Sequence, residues 1–287
     1  MAGTTARLAV LVLLAAPTLA QAEMATWGQI DLQAGAMRFG SVSGEAEDIV
    51  DRRPESYDIA GRIGADWGKL GAQLDLSYGS FENDTPAGQH HAWGRQAALR
   101  LTYDVSASLA LGVVYGVGRS QPQDDPGAEL DFQAVEGAYM AGNWALGLQV
   151  GRFDAVDAVA TNAFHDGSFA RASAIYSLSS AGVISAELGL FDGRQDGSPD
   201  ATVDMEGVTF ALEYSRQIGD LPLAWTAGIE TGHFQKNGPE ASAMTGTRAT
   251  IGLTAWFGDG DLAAAKRRGV FGQPDFGYVA DTGNLLD

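Results

Sequence analysis

The chain has 287 residues and a formal net charge of −18, with 18 lysines and arginines against 36 aspartates and glutamates. This acidity argues against a nucleic-acid partner, because phosphates are bound by lysine and arginine. There is no cysteine, which excludes disulfides, thiolate metal sites and cysteine nucleophiles. The 38 glycines against nine prolines fit a chain of many strands and turns.

The first 22 residues have the pattern of a secretory signal peptide. Arg7 gives a positive start, residues 8–16 form a short apolar run, and Ala20-Gln21-Ala22 is a small-residue cleavage site. The mature chain is therefore expected to begin at Glu23. No run of 18 apolar residues follows. An exported chain of this kind is periplasmic, secreted or an outer-membrane barrel.

The clearest repeating pattern is a hairpin over 57–81, in which apolar and polar residues alternate on both sides of a turn at Gly68-Lys69. A period of two predicts β-strands, because successive side chains of a strand point to opposite faces. Each arm has about a dozen residues, whereas strands of soluble proteins usually have about five or six. A bilayer-crossing hairpin with lipid on one face and a polar lumen on the other is predicted, and a half-buried hairpin of a soluble sandwich is the alternative.

The same alternation recurs through the mature chain and predicts twelve strands. The sixth is the least regular, and a bulge is expected near Ala134. The predicted strands cover 27–39, the two arms of 57–81, 93–105, 108–118, 131–140, 144–150, 170–178, 184–190, 208–215, 223–230 and 247–257.

The connections alternate in length, which a soluble sandwich does not require. Bacterial outer-membrane barrels have an even number of strands, short periplasmic turns and longer external loops. Aromatic residues near both strand ends, Trp27, Phe39, Phe153 and Phe169 among them, predict two belts at the membrane interfaces. Short turns are predicted at 68–69, 105–107, 141–143, 179–181 and 219–221, and long loops at 40–56, 82–92, 119–130, 154–168, 192–205 and 235–246.

The opening strand WGQIDLQAGAMRF (27–39) and the closing strand TRATIGLTAWF (247–257) complete this pattern. With them, residues 23–257 resemble the porin-type outer-membrane β-barrel proteins of Gram-negative bacteria. The resemblance implies an all-β, transmembrane, antiparallel up-and-down barrel of about twelve strands in the cell outer membrane. It also implies contact with outer-membrane lipid and lipopolysaccharide. Porins are often trimers, but the sequence shows no flat apolar interface distinct from the lipid face, so the question of a homo-oligomer stays open.

In that family the closing aromatic is the signal read by the barrel-assembly machinery, and Phe257 stands at this place. The family's chains normally end there, whereas 30 residues follow Phe257 here. Residues 258–287 are expected to be a C-terminal periplasmic tail. This tail contains Lys266-Arg267-Arg268 and would either plug or tether the barrel.

The inward faces of the predicted strands carry an excess of carboxylates. In a water-filled lumen such an excess favours cations, so the expected function is passive diffusion of small polar or cationic solutes. If the charges pair and close the lumen, the alternative is a structural or adhesive surface protein. The predicted lumen residues are Asp31, Asp58, Arg62, Asp66, Asp75, Arg100, Asp104, Glu136, Arg171, Glu187, Glu213, Glu230 and Arg248.

A channel of this kind needs no catalytic residue, metal or cofactor, and none is expected. A third possibility is a hydrolase at the long-loop rim, where all four histidines lie. His165-Asp166, Asp84 and His233 would there form a base and its orienting carboxylate. Their spacing does not require such a site, and histidines in polar loops are commonly solvent-facing.

Overall fold

The computed structural model describes residues 24–43, 54–85, 88–121, 128–155, 164–196, 202–237, 241–270 and 272. The predicted signal peptide (1–22) lies outside these residues. The strands are β1 Met24–Ser43, β2 Glu55–Trp67, β3 Leu70–Thr85, β4 Gly88–Ser106, β5 Leu109–Gln121, β6 Ala128–Ala141, β7 Trp144–Ala155, β8 Phe164–Ser179, β9 Gly182–Asp196, β10 Thr202–Gln217, β11 Leu223–Lys236 and β12 Ser242–Phe257, and one helix, α1 Leu262–Arg268, follows.

The twelve strands form one closed antiparallel barrel. Each strand pairs with its neighbours in sequence, and β1 closes the circle by pairing with β12 from Gly28 opposite Phe257 to Ser43 opposite Ala243. Closure leaves no strand with an unpaired edge, which is the condition for a sheet to exist in lipid. The predicted all-β barrel of twelve antiparallel strands is confirmed.

The two faces of the wall differ as the alternation predicts. On β3, Leu74 and Leu76 are 40% and 51% exposed, whereas Gln73 and Asp75 are 6% and 3% exposed. Leucine, isoleucine, valine and tyrosine therefore cover the outer surface, and polar side chains turn to the lumen. The connections near 68–69, 107–108, 142–143, 180–181 and 218–222 define the short-turn end of the barrel, and the opposite end is the long-loop end.

Two predictions about individual strands are wrong. The predicted long loop at 82–92 is mostly strand, because β3 and β4 remain paired as far as Thr85 opposite Gly88. The predicted bulge near Ala134 is absent, since β6 keeps an unbroken register with both β5 and β7. Among the strand pairs that the structure describes, register shifts occur instead at four other places, one of them between Asp104 and Ser106.

Part of the predicted aromatic belts faces inward. Trp27, Phe39, Phe153 and Phe169 are buried, although the belts require them to face lipid. The reason is their phase, since each lies an even number of residues from a lumen-facing polar residue of its own strand. Phe169, for example, lies two residues from Arg171. Tyr57, Tyr103, Tyr115, Tyr139 and Trp144 are between 47% and 51% exposed and do face outward.

The lumen is filled in three layers. Near the long-loop end lies the phenylalanine layer, which consists of Phe39, Phe132, Phe153, Phe169, Phe191 and Phe234 with Met37, Met205 and Met244. In the middle lies the charge belt, which consists of Asp31, Asp58, Arg62, Asp75, Arg100, Glu136, Arg171, Glu187, Glu213, Glu230 and Arg248. Near the short-turn end lies the lower apolar layer, whose wall residues are Ala138, Ala145, Ile175, Val183, Ala224 and Trp256.

The chain re-enters the barrel after Phe257. Gly258 (φ 92°) and Gly260 (φ 118°) turn it inward, in conformations that residues with a Cβ rarely adopt. Asp261 then caps α1 by accepting from the Ala264 amide at 2.8 Å. Residues 258–270 with Gly272 are called the C-terminal segment, and its Leu262, Ala263 and Val270 are buried in the lower apolar layer. Among the described residues, no helix has the length and apolarity that a membrane crossing requires.

Candidate functional site in the barrel lumen

Arg100, on β4, is the most deeply buried charge of the belt, with no exposed surface. Its Nη1 lies 2.7 Å from Asp75 Oδ2 on β3, and its Nε lies 2.6 Å from Glu136 Oε1 on β6. Gln73 and Gln149 donate to the other oxygens of these two carboxylates at 2.7 and 2.9 Å. A buried ion pair needs such additional hydrogen bonds to offset its desolvation.

Arg171 and Arg248 form two further clusters of this type. Arg171 on β8 donates through Nε to Glu187 Oε1 at 3.0 Å, and through Nη1 to Gln149 Oε1 at 3.1 Å. Arg248 on β12 lies 2.6 Å from Glu230 on β11 and 2.9 Å from Asp58 on β2. The charges of both arginines are thus matched within the wall.

Asp31 on β1 and Glu213 on β10 are bound by a cation that does not belong to the wall. Lys266 Nζ of α1 lies 2.8 Å from Glu213 Oε1 and 3.8 Å from Asp31 Oδ1. Burial of the ammonium opposes its charge, but Glu213 and Asp31 outweigh this effect and raise the pKa of Lys266 above its ordinary value. The lysine therefore stays charged through neutral pH, and its pairing is lost only as the pH rises through that raised pKa.

The arginine pairs follow the wall instead of crossing the lumen. Arg100, Arg171 and Arg248 each pair with a carboxylate on the adjacent strand, and the further partners Glu136 and Asp58 are two strands away. This arrangement leaves a cavity of about 370 Å³ in the lumen. Residues lining it include Gln29, Asp31, Gln33, Asp58, Arg62, Arg171, Glu187, Glu213, Arg248, Lys266 and Val270.

The C-terminal segment forms the floor of this cavity. Its backbone carbonyls accept hydrogen bonds from wall side chains: Gly269 from Arg62 at 3.2 Å, Val270 from Ser173 at 2.8 Å, and Gly272 from Arg171 at 2.7 Å. These three donors lie on β2 and β8, and a fourth, Arg100 on β4, donates to Gly272 at 3.3 Å. The segment is thus attached to widely separated parts of the wall through side chains and not through a strand ladder.

Eleven of the thirteen predicted lumen residues make up the charge belt. Asp66 and Asp104 share the inward phase but lie near the short-turn end, opposite Gly71 and Ala110 in the register. Phe257 lies on the outer face, 51% exposed, and its role as an assembly signal stays a prediction.

The residues predicted for a rim hydrolase lie on strands that are separated around the wall. His165 lies on β8 and His233 on β11, so three strand spacings, about 14 Å, separate their backbones. Asp84 lies on β3, on a distant part of the wall. His233 Nδ1 lies 2.9 Å from Thr245 Oγ1 on the neighbouring strand. Within the described ranges, no three His, Asp or Glu side chains are grouped closely enough to hold a metal ion.

Sequence reasoning missed Lys266 and the role of the lumen glutamines. Gln29, Gln33, Gln73 and Gln149 share the inward phase of the carboxylates, and this phase is a signal for their hydrogen bonds. Lys266 belongs to a basic cluster that follows an acidic barrel, and charge matching is the signal that could have placed it in the lumen.

No protein-family model matches the chain, and no curated protein matches it. Among solved structures, an outer-membrane channel from Pseudomonas putida F1 is similar, with 14% identity over 81% of this chain and 95% of the channel and a TM-score of 0.57. The translocator domain of the autotransporter NalP from Neisseria meningitidis has 12% identity over 88% and 95% of the two chains and a TM-score of 0.48. The toluene transporter TodX from Pseudomonas putida has 12% identity over 80% and 89% and a TM-score of 0.42.

The match to the outer-membrane channel establishes a shared fold at this level of identity. Together with the closed ring of twelve strands, it confirms the resemblance predicted from the sequence. The chain has the architecture of outer-membrane β-barrel proteins.

Proposed function

We propose that this protein is a channel of the outer membrane for small polar or cationic solutes, and that its C-terminal segment closes the channel. With short turns on the periplasmic side, as outer-membrane barrels have them, the segment would enter the lumen from the periplasm. Solutes would diffuse passively along the polar face of the wall, and no catalytic residue or cofactor takes part.

The observation that carries the proposal is the contrast between the wall and its filling. The wall's own ion pairs run between adjacent and next-adjacent strands and leave a cavity of about 370 Å³ into which charged and amide side chains project. The lumen below this cavity is filled by a segment outside the sheet, which is attached by individual hydrogen bonds and by the ion pairs of Lys266 with Glu213 and Asp31. Such an attachment is reversible without breaking the barrel.

The charge belt supports a preference for cations once the segment leaves. Seven carboxylates and four arginines line this part of the wall, and Lys266 is the cation that the segment adds. With the segment displaced, the carboxylates are in excess by three. Excess carboxylates in a pore attract cations and repel anions.

The alternative to a channel is a structural barrel whose lumen stays closed. Planar-bilayer conductance distinguishes the two when the full mature chain is compared with a chain that ends at Phe257. The proposal predicts a mostly closed full chain and steady steps for the shortened one, with a reversal potential in a KCl gradient that shows cation preference.

A chain lacking only residues 273–287 is the matched control, because it keeps the docked segment, and it is expected to stay mostly closed. A shortened barrel that refolds correctly, shown by its heat-modifiable mobility, and yet stays silent would refute the channel and leave the structural barrel.

A further inference from the structure

The carboxylates of Asp31 and Glu213 hold an ammonium group that is not part of the wall. They project from β1 and β10, near the lower apolar layer, and both lie within 4 Å of Lys266 Nζ. An ammonium has three donors and no acceptor, and two carboxylates supply acceptors only. The pair is therefore chemically matched to its occupant.

These carboxylates are positioned by the wall and not by the lysine. Thr254 Oγ1 donates to Asp31 Oδ1 at 2.6 Å, and Gln29 Nε2 donates to Asp31 Oδ2 at 2.7 Å. Gln33 Nε2 and Ser215 Oγ each donate to Glu213 at 3.0 Å. Arg62 Nη2 on β2 lies 3.9 Å from Asp31 Oδ2, whereas Lys266 Nζ faces Oδ1 of the same carboxylate. The acceptors are thus held by wall side chains and stay in place when Lys266 leaves, and a preorganised site does not lose binding energy to its own ordering.

The site also faces the cavity in the lumen. The cavity of about 370 Å³ is lined by Gln29, Asp31, Gln33, Glu213 and Lys266, so a small molecule in the cavity reaches both carboxylates. Apolar side chains such as Met37 and Ile175 also line the cavity. Binding sites for small organic molecules combine such an apolar lining with a few well-placed polar groups.

We propose that Asp31 and Glu213 form a binding site for the ammonium group of a small organic cation that crosses the lumen, and that Lys266 occupies this site as a tethered competitor. This inference rests on the proposed channel. It adds the class of solute, a primary organic ammonium, and it explains why the segment that closes the lumen carries a lysine into it.

The test uses the full mature chain with Lys266→Ala, which removes the ammonium and leaves the rest of the C-terminal segment. The probe is n-butylammonium at neutral pH, and isothermal titration calorimetry of the refolded protein measures its binding. Lys266→Ala is expected to bind the probe in a saturable manner, whereas the wild-type chain does not. Adding Glu213→Gln is expected to lower the affinity of Lys266→Ala by tenfold or more.

Two controls separate this site from general attraction to an acidic protein. Lys69→Ala, which removes a lysine on an exposed turn, is expected to leave the protein without binding, and neutral n-butanol is expected not to bind Lys266→Ala. Equal binding by the wild-type and Lys266→Ala chains, or equal binding with and without Glu213→Gln, would overturn the inference. Lys266→Ser offers the same comparison if Lys266→Ala does not refold.

Calorimetry measures binding whether or not the barrel conducts. The proposed channel and the proposed ammonium site can therefore be refuted independently. A barrel that binds the ammonium but never conducts keeps the site and loses the channel. A barrel that conducts after its C-terminal segment is removed but gives no binding in Lys266→Ala keeps the channel and loses the site.

Discussion

Glycine makes room for the aromatic rings of the lumen wall. A Cβ added at Gly116 or at Gly167 would collide with the ring of Phe132 or of Phe153, respectively, from the neighbouring strand. The rings therefore extend over the glycines of the neighbouring strand. The glycine content of the chain is in this respect a packing requirement.

The predicted consequence is that Gly116→Ala destabilises the barrel by about 1–3 kcal/mol, because the phenylalanine layer must shift to admit a methyl group. Gly61→Ala is the matched control, since nothing lies within 4 Å of a Cβ at that position, and its effect is expected to stay within about 0.5 kcal/mol. Urea unfolding of the refolded barrels measures both. Equal unfolding midpoints for the two variants would show that the packing of the phenylalanine rings does not require glycine at this position.

At this scale, the phase of each strand predicted which side chains enter the lumen, Arg100 and Glu136 among them. It did not predict which charges pair, because Arg100 meets Glu136 across an intervening strand and such a contact depends on strand tilt. The inward aromatics were predictable from the same phase. Phe153 and Phe169 were nevertheless predicted to belong to the interface belts, because aromatic residues near strand ends commonly face lipid.

At the scale of elements, the strands were predictable and their ends were not. Alternation is enforced where one face meets lipid, so the membrane-spanning parts have a clear period of two. Beyond the membrane both faces meet water, and the pattern fades while pairing continues. The β3–β4 hairpin shows this, since Glu82 to Thr85 pair with Gly88 to His91 in a stretch that reads as a loop.

Helix α1 was not predictable from its own sequence. A seven-residue helix is marginal alone, and its stability here comes from the cap at Asp261 and from burial of Leu262 and Ala263. Its entry into the lumen depends on Gly258, which holds φ 92° with Thr26 O only 2.6 Å from the position of an added Cβ.

Gly258→Ala is therefore expected to weaken docking of the C-terminal segment and to expose Lys266-Arg267-Arg268 to trypsin. Mass spectrometry of the refolded protein during limited digestion gives the rate of cleavage at these three residues, which is expected to rise at least several-fold over wild type. Gly219→Ala is the control, because it has a similar positive φ in a turn with open space around it. Unchanged cleavage in Gly258→Ala would mean that docking does not depend on this turn.

At the scale of the whole molecule, the barrel and its filling differ in how they are held. The wall is a continuous ladder of backbone hydrogen bonds closed between β1 and β12. The C-terminal segment is held by side chains such as Arg171 and Ser173 that reach its carbonyls. The alternating loop lengths predicted the closed wall. The attachment of the C-terminal segment joins residues about 100 positions apart in sequence. No local sequence pattern contains this information, so the sequence does not distinguish a plug from a tether.

A disulfide that can be formed and reduced tests whether the C-terminal segment closes the lumen. A Cβ at Gly147 on β7 would lie 3.1 Å from a γ-methyl carbon of Val270 and would collide with Ser173 Oγ. The serine hydroxyl therefore has to rotate away from the new side chain, after which cysteines at 147 and 270 are near enough to form a disulfide. The chain has no cysteine of its own, so no other disulfide competes. Gly147→Cys and Val270→Cys alone are the controls.

The measurement is the conductance of Gly147→Cys/Val270→Cys in a planar bilayer before and after reduction. We expect the oxidised barrel to be silent, a reducing agent to restore openings, and neither single variant to respond to that agent. If the oxidised barrel, with its disulfide verified by mass spectrometry, conducts as well as the reduced one, the C-terminal segment does not close the lumen.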